Sequence, residues 1–376
     1  MNTTYGVLNN SSLIIDTDKL RENVRTILRS LPAGTKLIPV VKDDAYGMGM
    51  VGVARTLSAF PEIGCFAVAN VSEGVTLRRE GIRQDILIMG STLPFQYAPA
   101  VECDLTVTVS RLGMVPELAE VCKAQSKPLN VQIKLETGMH RIGVEPGEEL
   151  AALIGELKAA QEWVHVTGAF SHFAWPGNAE VCEAQYKKLL AGVEQLRAAG
   201  IPVPMCHISA SESSELFPQY ALDAVRIGRR LYMDHPKKPL GNIQEVVSWR
   251  SYLTNVKQRH AGDSLAYFGK YVLDKDTVVA TVGVGYGDGL YLPLVEMHGD
   301  ILVRGERRPL LACCMDQCMV DVAGMDVQTG EEVTLFGFDR EGNALLSQDV
   351  ANFCGANEGC ALTSALSPRV ERIIEN

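Results

Sequence analysis

Between Lys36 and Gly228 the chain alternates short apolar runs with longer amphipathic stretches. The runs are KLIPVVK (36–42), CFAVAN (65–70), ILIMG (86–90), LTVTVS (105–110), LNVQIKLET (129–137), VHVTGAFSHF (164–173), MCHISA (205–210) and AVRIG (224–228). They are near-continuously apolar, the pattern of parallel strands covered by helices on one side and by core on the other. The stretches between them follow the helical period. In 113–126, Val115, Leu118, Ala119 and Cys122 share a face, and 147–161 and 179–199 repeat the pattern with charges between the apolar positions. Eight strand–helix units in roughly 230 residues predict a closed (β/α)8 barrel of the TIM type, whose usual size is ~250 residues. An open doubly wound sheet would normally have fewer strands.

The pattern changes after about Arg250. VVATVGVGYGDG, ILVRGERRPLLACC, MVDVAG and EVTLFG read as short strands punctuated by Gly, Asp and Asn turns, and helical character returns only at 347–354. The expected architecture is therefore α/β: an N-terminal (β/α)8 barrel over residues 1–245, followed by a C-terminal β-rich domain over 246–376.

Composition narrows the function. Of 376 residues 47% are hydrophobic, enough for a sizeable core, and the net charge of −10 argues against nucleic acid as a main partner. Local cationic pockets for small anions remain open. The ten cysteines include no Cys-x-x-Cys pair and there are no paired metal-spaced Cys/His motifs, so no metal and reduced thiols in the cytoplasm are expected. The opening MNTTYGVLNNSSLIID lacks a basic segment and an apolar core, so no secretory signal is expected. No apolar run approaches the ~20 residues of a membrane helix.

In such a barrel, chemistry sits where the strands end at the C-terminal face. The first run ends in Lys42, followed by Tyr46, Gly47 and Gly49. The fifth leads to Lys134, Glu136, His140 and Arg141, the sixth to Ser171 and His172. The seventh carries His207, Ser209 and Ser211, and the eighth Arg226 and Gly228. Any one of these could be a solvated loop residue. Together they make a cationic rim on an acidic protein, suited to an anionic small molecule. A lysine held among apolar groups and other cations is favoured as a neutral, nucleophilic amine able to form a Schiff base.

These residues lie in motifs that resemble the alanine racemase family, fold-type III enzymes using pyridoxal 5'-phosphate (PLP): VVKDDAYGMG, KLETGMHRIG, SHFA, HISAS, VRIGRRLY, SLAYFGKY, VGYGDG and CCMDQCMVDV, in the family's order. The resemblance implies interconversion of L- and D-alanine for peptidoglycan by two bases. Lys42 resembles the PLP-holding lysine and first base, and Tyr267 the second base, with His172 behind it. Tyr46, Ser211, the backbone at Gly228 and Arg229 resemble the phosphate cup, and Arg226 the partner of the pyridine nitrogen. Arg141, Tyr286 and Met315 (through its backbone) resemble contacts to the substrate carboxylate. Lys134 stands where many members carry a carbamylated lysine. A tyrosine, which titrates near ~10 in isolation, needs cationic neighbours to act as a base near neutral pH. In this family the tyrosine comes from the second subunit, so a head-to-tail homodimer is expected.

The alternatives are racemisation of another small amino acid such as serine, a non-catalytic PLP-binding protein, or a decarboxylase. The β domain with Tyr267 argues against the second of these and Arg226 against the third. The sequence departs from the family at Asp43 and Asp44, at Ala210 before Ser211, at Arg229 and Arg230, at Phe268 and at Pro368. Those changes bear on the phosphate cup and the substrate entrance.

Overall fold

The computed structural model describes residues 9–234, 243–356 and 358–375. The chain forms two compact units: Asn23–Ala45 with Met50–Leu231, and Met1–Glu22 with Tyr46–Gly49 and Tyr232–Asn376.

The first strand, β1 (Ser11–Asp16), belongs to the second of these units and is not among the eight apolar runs. The eight runs supply β2 (Lys36–Pro39), β3 (Cys65–Val68), β4 (Asp85–Ile88), β5 (Thr106–Val109), β6 (Leu129–Lys134), β7 (Val164–Phe170), β8 (Cys206–His207) and β9 (Ala224–Ile227). β3 to β8 form one parallel sheet in sequential order, and β2 pairs in parallel with β9. Single parallel bridges complete the ring, Val40 with Ala67 between β2 and β3, and Ala210 with Arg226 between β8 and β9. The result is the closed eight-stranded barrel that the periodicity predicts. Its strands are buried almost throughout, which is why they carry few polar residues.

Two irregularities in this ring shape what lies at its mouth. β8 shrinks to Cys206–His207 because the chain leaves the ladder at Ile208, whose carbonyl turns to Arg226 Nη2 at 3.0 Å, and rejoins it at Ala210. Between β6 and β7 the register shifts: Val131 faces Val166 but Gln132 faces Gly168, leaving Thr167 as the extra residue of a bulge. A Cβ at Gly168 would lie 3.2 Å from the Gln132 side chain and 2.6 Å from Met205 O, so only glycine lets that side chain stay there.

The other unit is built on a nine-stranded sheet. After β1, β10 (Val247–Arg259) is its next strand, and the separate hairpin of β11 (Ser264–Leu265) and β12 (Tyr271–Val272) follows. Then come β13 (Thr277–Val282), β14 (Asp300–Val303), β15 (Glu306–Cys313), β16 (Cys318–Asp321), β17 (Glu332–Phe338), β18 (Ala344–Leu345) and β19 (Glu371–Glu375). β10 bonds β17 through Trp249–Tyr252 and β13 through Leu253–Arg259, so β10, β13, β16, β15, β14 and β17 close on themselves. β1 joins the outside of β10, and β19 lies parallel to β1.

Gly337 in β17 has φ +94°, and a Cβ there would sit 2.2 Å from Val247 O. Both the backbone conformation and the close approach exclude a side chain. Gly337→Ala should lower the unfolding free energy by about 3 kcal/mol or more. Urea denaturation of the purified variant measures this, and an unchanged midpoint would contradict the account.

Candidate active site

Past β2 the chain enters a left-handed turn, Lys42–Tyr46, in which Asp43, Asp44, Ala45 and Tyr46 all have φ between 50 and 58°. Left-handed helical backbone costs roughly 1–2 kcal/mol per non-glycine residue, and aspartate tolerates it better than most. Specific bonds hold the turn. Ala45 N donates to Val41 O (2.9 Å) and Asp43 N to Glu73 Oε1 (2.6 Å), while Asp44 Oδ1 accepts from Met50 N (2.8 Å). Glu73 also accepts from Ala69 N (2.7 Å) and closes the capping box with Asn70 on the helix Val71–Arg79. The two aspartates after Lys42 therefore serve the backbone: Asp44 as a cap, both as residues suited to this conformation.

The centre of the barrel mouth is Arg226, 3% exposed. Nη1 donates to His207 Nδ1. Nη2 meets Ser171 O (2.8 Å), Ile208 O (3.0 Å) and His172 Nδ1 (3.1 Å). A guanidinium can only donate, so both imidazole Nδ1 atoms accept and each ring carries its proton on Nε2. His207 passes that Nε2–H to Gln132 Oε1 at 2.8 Å, the atom that the β6–β7 bulge and Gly168 make room for. Burial, then Arg226 and Lys134, hold His207 neutral well below the usual imidazole range. Burial, Arg226, Lys134, Arg141 and Lys42 do the same to His172. His172 thus carries a neutral ring with its proton on Nε2.

Burial and Arg141 both oppose the charge of Arg226. Among the described residues no carboxylate lies within ion-pair distance of it, and none accepts a hydrogen bond from its Nε–H. Lys134, 2% exposed, reaches Ser171 Oγ at 3.3 Å. Burial, strengthened by Arg226 and Arg141 and opposed by Glu136, draws its amine down to about 7. Burial pushes the Glu136 carboxyl up, but the N–H groups of Gly138, His140 and Met139 outweigh it and leave it below the ordinary range. Arg141 sits on a loop that folds back on its own strand. Glu136 N donates to Val144 O and Val144 N to Lys134 O, both at 2.9 Å, and Gly143 (φ +131°) fits because a Cβ would meet Glu136 N at 2.9 Å.

Beside Arg226, Ser211 opens the short helix Ser211–Leu216, and its Oγ accepts a long bond from Gly228 N (3.3 Å). Arg229 and Arg230 are buried in the 3-10 turn Arg229–Leu231, and Arg230 pairs with Glu215. The barrel unit thus gathers Lys42, Lys134, Arg141, His172 and Arg226 into one electrostatically coupled set, with Ser211 and Gly228 adjoining it.

In the other unit the Tyr46 ring lies 5.7 Å from that of Tyr232. Tyr267 and Phe268 project from the β11–β12 hairpin, 64% and 93% exposed, and Phe268 adopts φ +64°. Tyr286 and Met315 come together: Tyr286 N donates to Cys314 O (3.2 Å) and Gly287 N to Met315 O (2.8 Å). Gln132 and Glu73 escape the sequence reading as site residues. Gln132 is the one polar side chain in the interior of LNVQIK that demands a partner, and Asn70-x-x-Glu73 is a visible capping box.

A TIM-type barrel with a lysine beyond its first barrel strand and a buried arginine at its mouth, in a chain that also carries a β domain, defines a class of two-domain barrel proteins. The alanine racemase N-terminal domain matches residues 15–236 and the alanine racemase C-terminal domain matches residues 246–374, and the chain belongs to the alanine racemase family. It is 32% identical over 351 residues to the alanine racemase of Desulforamulus reducens, covering 91% of this chain and 92% of that one. The solved alanine racemase of Clostridium difficile 630 superposes with a TM-score of 0.90 at 28% identity, over 98% of this chain and 97% of that one. The Bacillus anthracis enzyme with bound L-Ala-P gives 0.91 at 27% identity, over 99% and 96%.

The position of Lys134 makes a prediction about pH. An unfolded lysine titrates near ~10.4, so between about pH 7 and about pH 10 the unfolded chain holds a proton here that the native state has shed. Native stability therefore rises with pH across that window, and this group's cost is fully present below it. Lys134→Met should remove the rise. Urea unfolding near pH 7 and near pH 10 should show the wild type gaining on the variant as pH increases. Parallel curves would contradict the burial of an amine there.

Proposed function

We infer that the protein is a PLP-dependent racemase that interconverts L- and D-alanine with Lys42 and Tyr267 as its two bases, supplying D-alanine for peptidoglycan in the cytoplasm. Residues 1–245 would form the cofactor-binding barrel and 246–376 the β domain. The observation that carries this reading is the unused Nε–H of buried Arg226, which has no carboxylate within ion-pair distance among the described residues. That donor set fits the cofactor: a pyridine nitrogen is an acceptor for Nε–H, and a phosphate supplies the missing negative charge.

When bound, PLP supplies an electron sink that stabilises negative charge at the substrate Cα. The chain's own residues do the rest. Lys42 Nζ anchors the cofactor and carries a proton on one face of Cα, and Tyr267 Oη carries one on the other. Removal on one face and delivery on the opposite face inverts the centre. Arg226 stays protonated, so it donates to the ring nitrogen and leaves that nitrogen without a proton of its own. This limits side reactions such as transamination. The Ser211 hydroxyl and Gly228 N–H can exchange their long mutual bond for phosphate oxygens, with Arg229 and Tyr46 as further contacts. Arg141, Tyr286 Oη and Met315 N–H hold the substrate carboxylate. His172, neutral and with its proton on Nε2, supports Tyr267 through that N–H.

The second base belongs to a partner subunit in this reading, so the enzyme is a head-to-tail homodimer. The exposure of two adjacent aromatic rings, Tyr267 and Phe268, supports a surface that another chain covers.

The direct test follows deuterium entry at Cα of alanine in D2O together with loss of optical rotation. The wild type should show both, and Lys42→Ala should lose about a thousandfold or more. No exchange by the PLP-loaded wild type would overturn the assignment. Subunit sharing has its own test. Equal mixing of Lys42→Ala and Tyr267→Phe subunits should restore about a quarter of wild-type activity, because half the dimers are mixed and one of their two sites keeps both bases. Activity no higher than either parent would contradict sharing.

A further inference from the structure

The loops assigned to the substrate carboxylate carry a device that the reading above does not use. Tyr286 stands in the 3-10 turn Tyr286–Asp288, and Met315 in the tip that joins β15 to β16. Gly285 lets these two segments touch, since a Cβ there would lie 2.3 Å from Met315 O. Two backbone bonds zip the segments together, but neither fixes the side chains at their ends.

A third segment closes over both. Ser367–Val370 is a tight turn in which Val370 N donates to Ser367 O at 3.1 Å. Pro368 takes the second position, where its fixed φ favours the turn, and Arg369 the third. Arg372 anchors the turn from behind, with Nη1 bonding Ser367 O and Val370 O at 2.6 Å each and Nη2 bonding Leu366 O at 2.9 Å. Ser367 N also donates to Asp288 O at 3.0 Å. From this turn the Arg369 guanidinium reaches two carboxylates at once: Nε lies 3.2 Å from Asp288 Oδ1, and Nη1 lies 2.5 Å from Asp316 Oδ1. Asp288 is 5% exposed, and its second oxygen accepts from Gly285 N at 2.8 Å. One guanidinium thus bridges the residue two after Tyr286 and the residue after Met315.

We propose that Arg369 is a positioning residue for substrate recognition: by tying Asp288 to Asp316 it sets the spacing between the Tyr286 hydroxyl and the Met315 N–H. An exposed ion pair contributes little stability. A planar fork held on a braced turn, with one buried partner, contributes direction. Two contacts that must meet the two oxygens of one carboxylate are sensitive to such direction, because small misplacements are expensive in binding. Pro368, an unexpected residue in sequence, then has a reason: it forms the turn that presents the arginine. The inference rests on the assignment of Tyr286 and Met315 as carboxylate contacts.

The test is steady-state racemisation of alanine by the PLP-loaded wild type, Arg369→Ala, Arg369→Lys and Asp316→Asn, with urea unfolding of each. Arg369→Ala should raise KM about tenfold while kcat changes less than about threefold, and the unfolding midpoint should hold. Asp316→Asn should shift KM in the same direction, and Arg369→Lys should recover part of the loss, since one ammonium can meet one carboxylate but not both. An unchanged KM in Arg369→Ala, or a fall in activity that tracks only a lowered unfolding midpoint, would overturn the proposal while leaving alanine racemisation intact. A wild type that does not racemise alanine would overturn both readings.

Discussion

A guanidinium buried without a carboxylate is the constraint on which the barrel mouth depends. Arg226 lies in β9, and every neighbouring element gives something to it. β7 is followed by Ser171 O and His172, and β8 supplies His207 and then gives up its ladder so that Ile208 O can turn inward. β6 supplies Gln132 through a bulge that only Gly168 permits. Carbonyls and imidazoles satisfy its Nη donors but do not neutralise its charge. The arrangement fixes the tautomers of two histidines and, with burial, lowers the affinity of Lys134 for its proton despite the opposing charge of Glu136. In the proposed reading, an anion with an acceptor nitrogen completes this site.

The rest of the mouth is held by backbone rather than by side-chain pairing. The turn after Lys42 runs left-handed through four non-glycine residues and is pinned by Glu73, which at the same time caps the next helix. The loop carrying Arg141 closes on its own strand through Val144 and Gly143. In the β unit the same economy recurs at Gly285, where two loops meet backbone to backbone. Left-handed backbone and close approach thus recur at the loops that carry the proposed site residues, where preorganisation is most useful.

Much of this was legible in the chain. Near-continuous apolar runs at regular spacing specify buried parallel strands, and all eight appear in the barrel. The cationic residues at their ends meet because a barrel brings its strand ends to one rim. β1 was not legible, because Leu13–Ile15 is a three-residue apolar run whose partners lie more than 200 residues away. Asp43 and Asp44 look misplaced beside a phosphate-binding stretch until the backbone conformation is known, since nothing in their spacing announces four left-handed residues. Gln132, buried by a bulge, depends on register, which a single strand does not encode. Pro368 looks like a loss in sequence and becomes a turn in the structure.

The central claim is that Arg226 acts as a permanent donor to a ring nitrogen that carries no proton. Nitrogen-15 NMR of the protein reconstituted with PLP labelled at the pyridine nitrogen tests it most directly. The account predicts a resonance in the range of an unprotonated, hydrogen-bonded pyridine throughout the neutral pH region. A resonance in the pyridinium range would show that the nitrogen holds its own proton and would contradict the role assigned to Arg226.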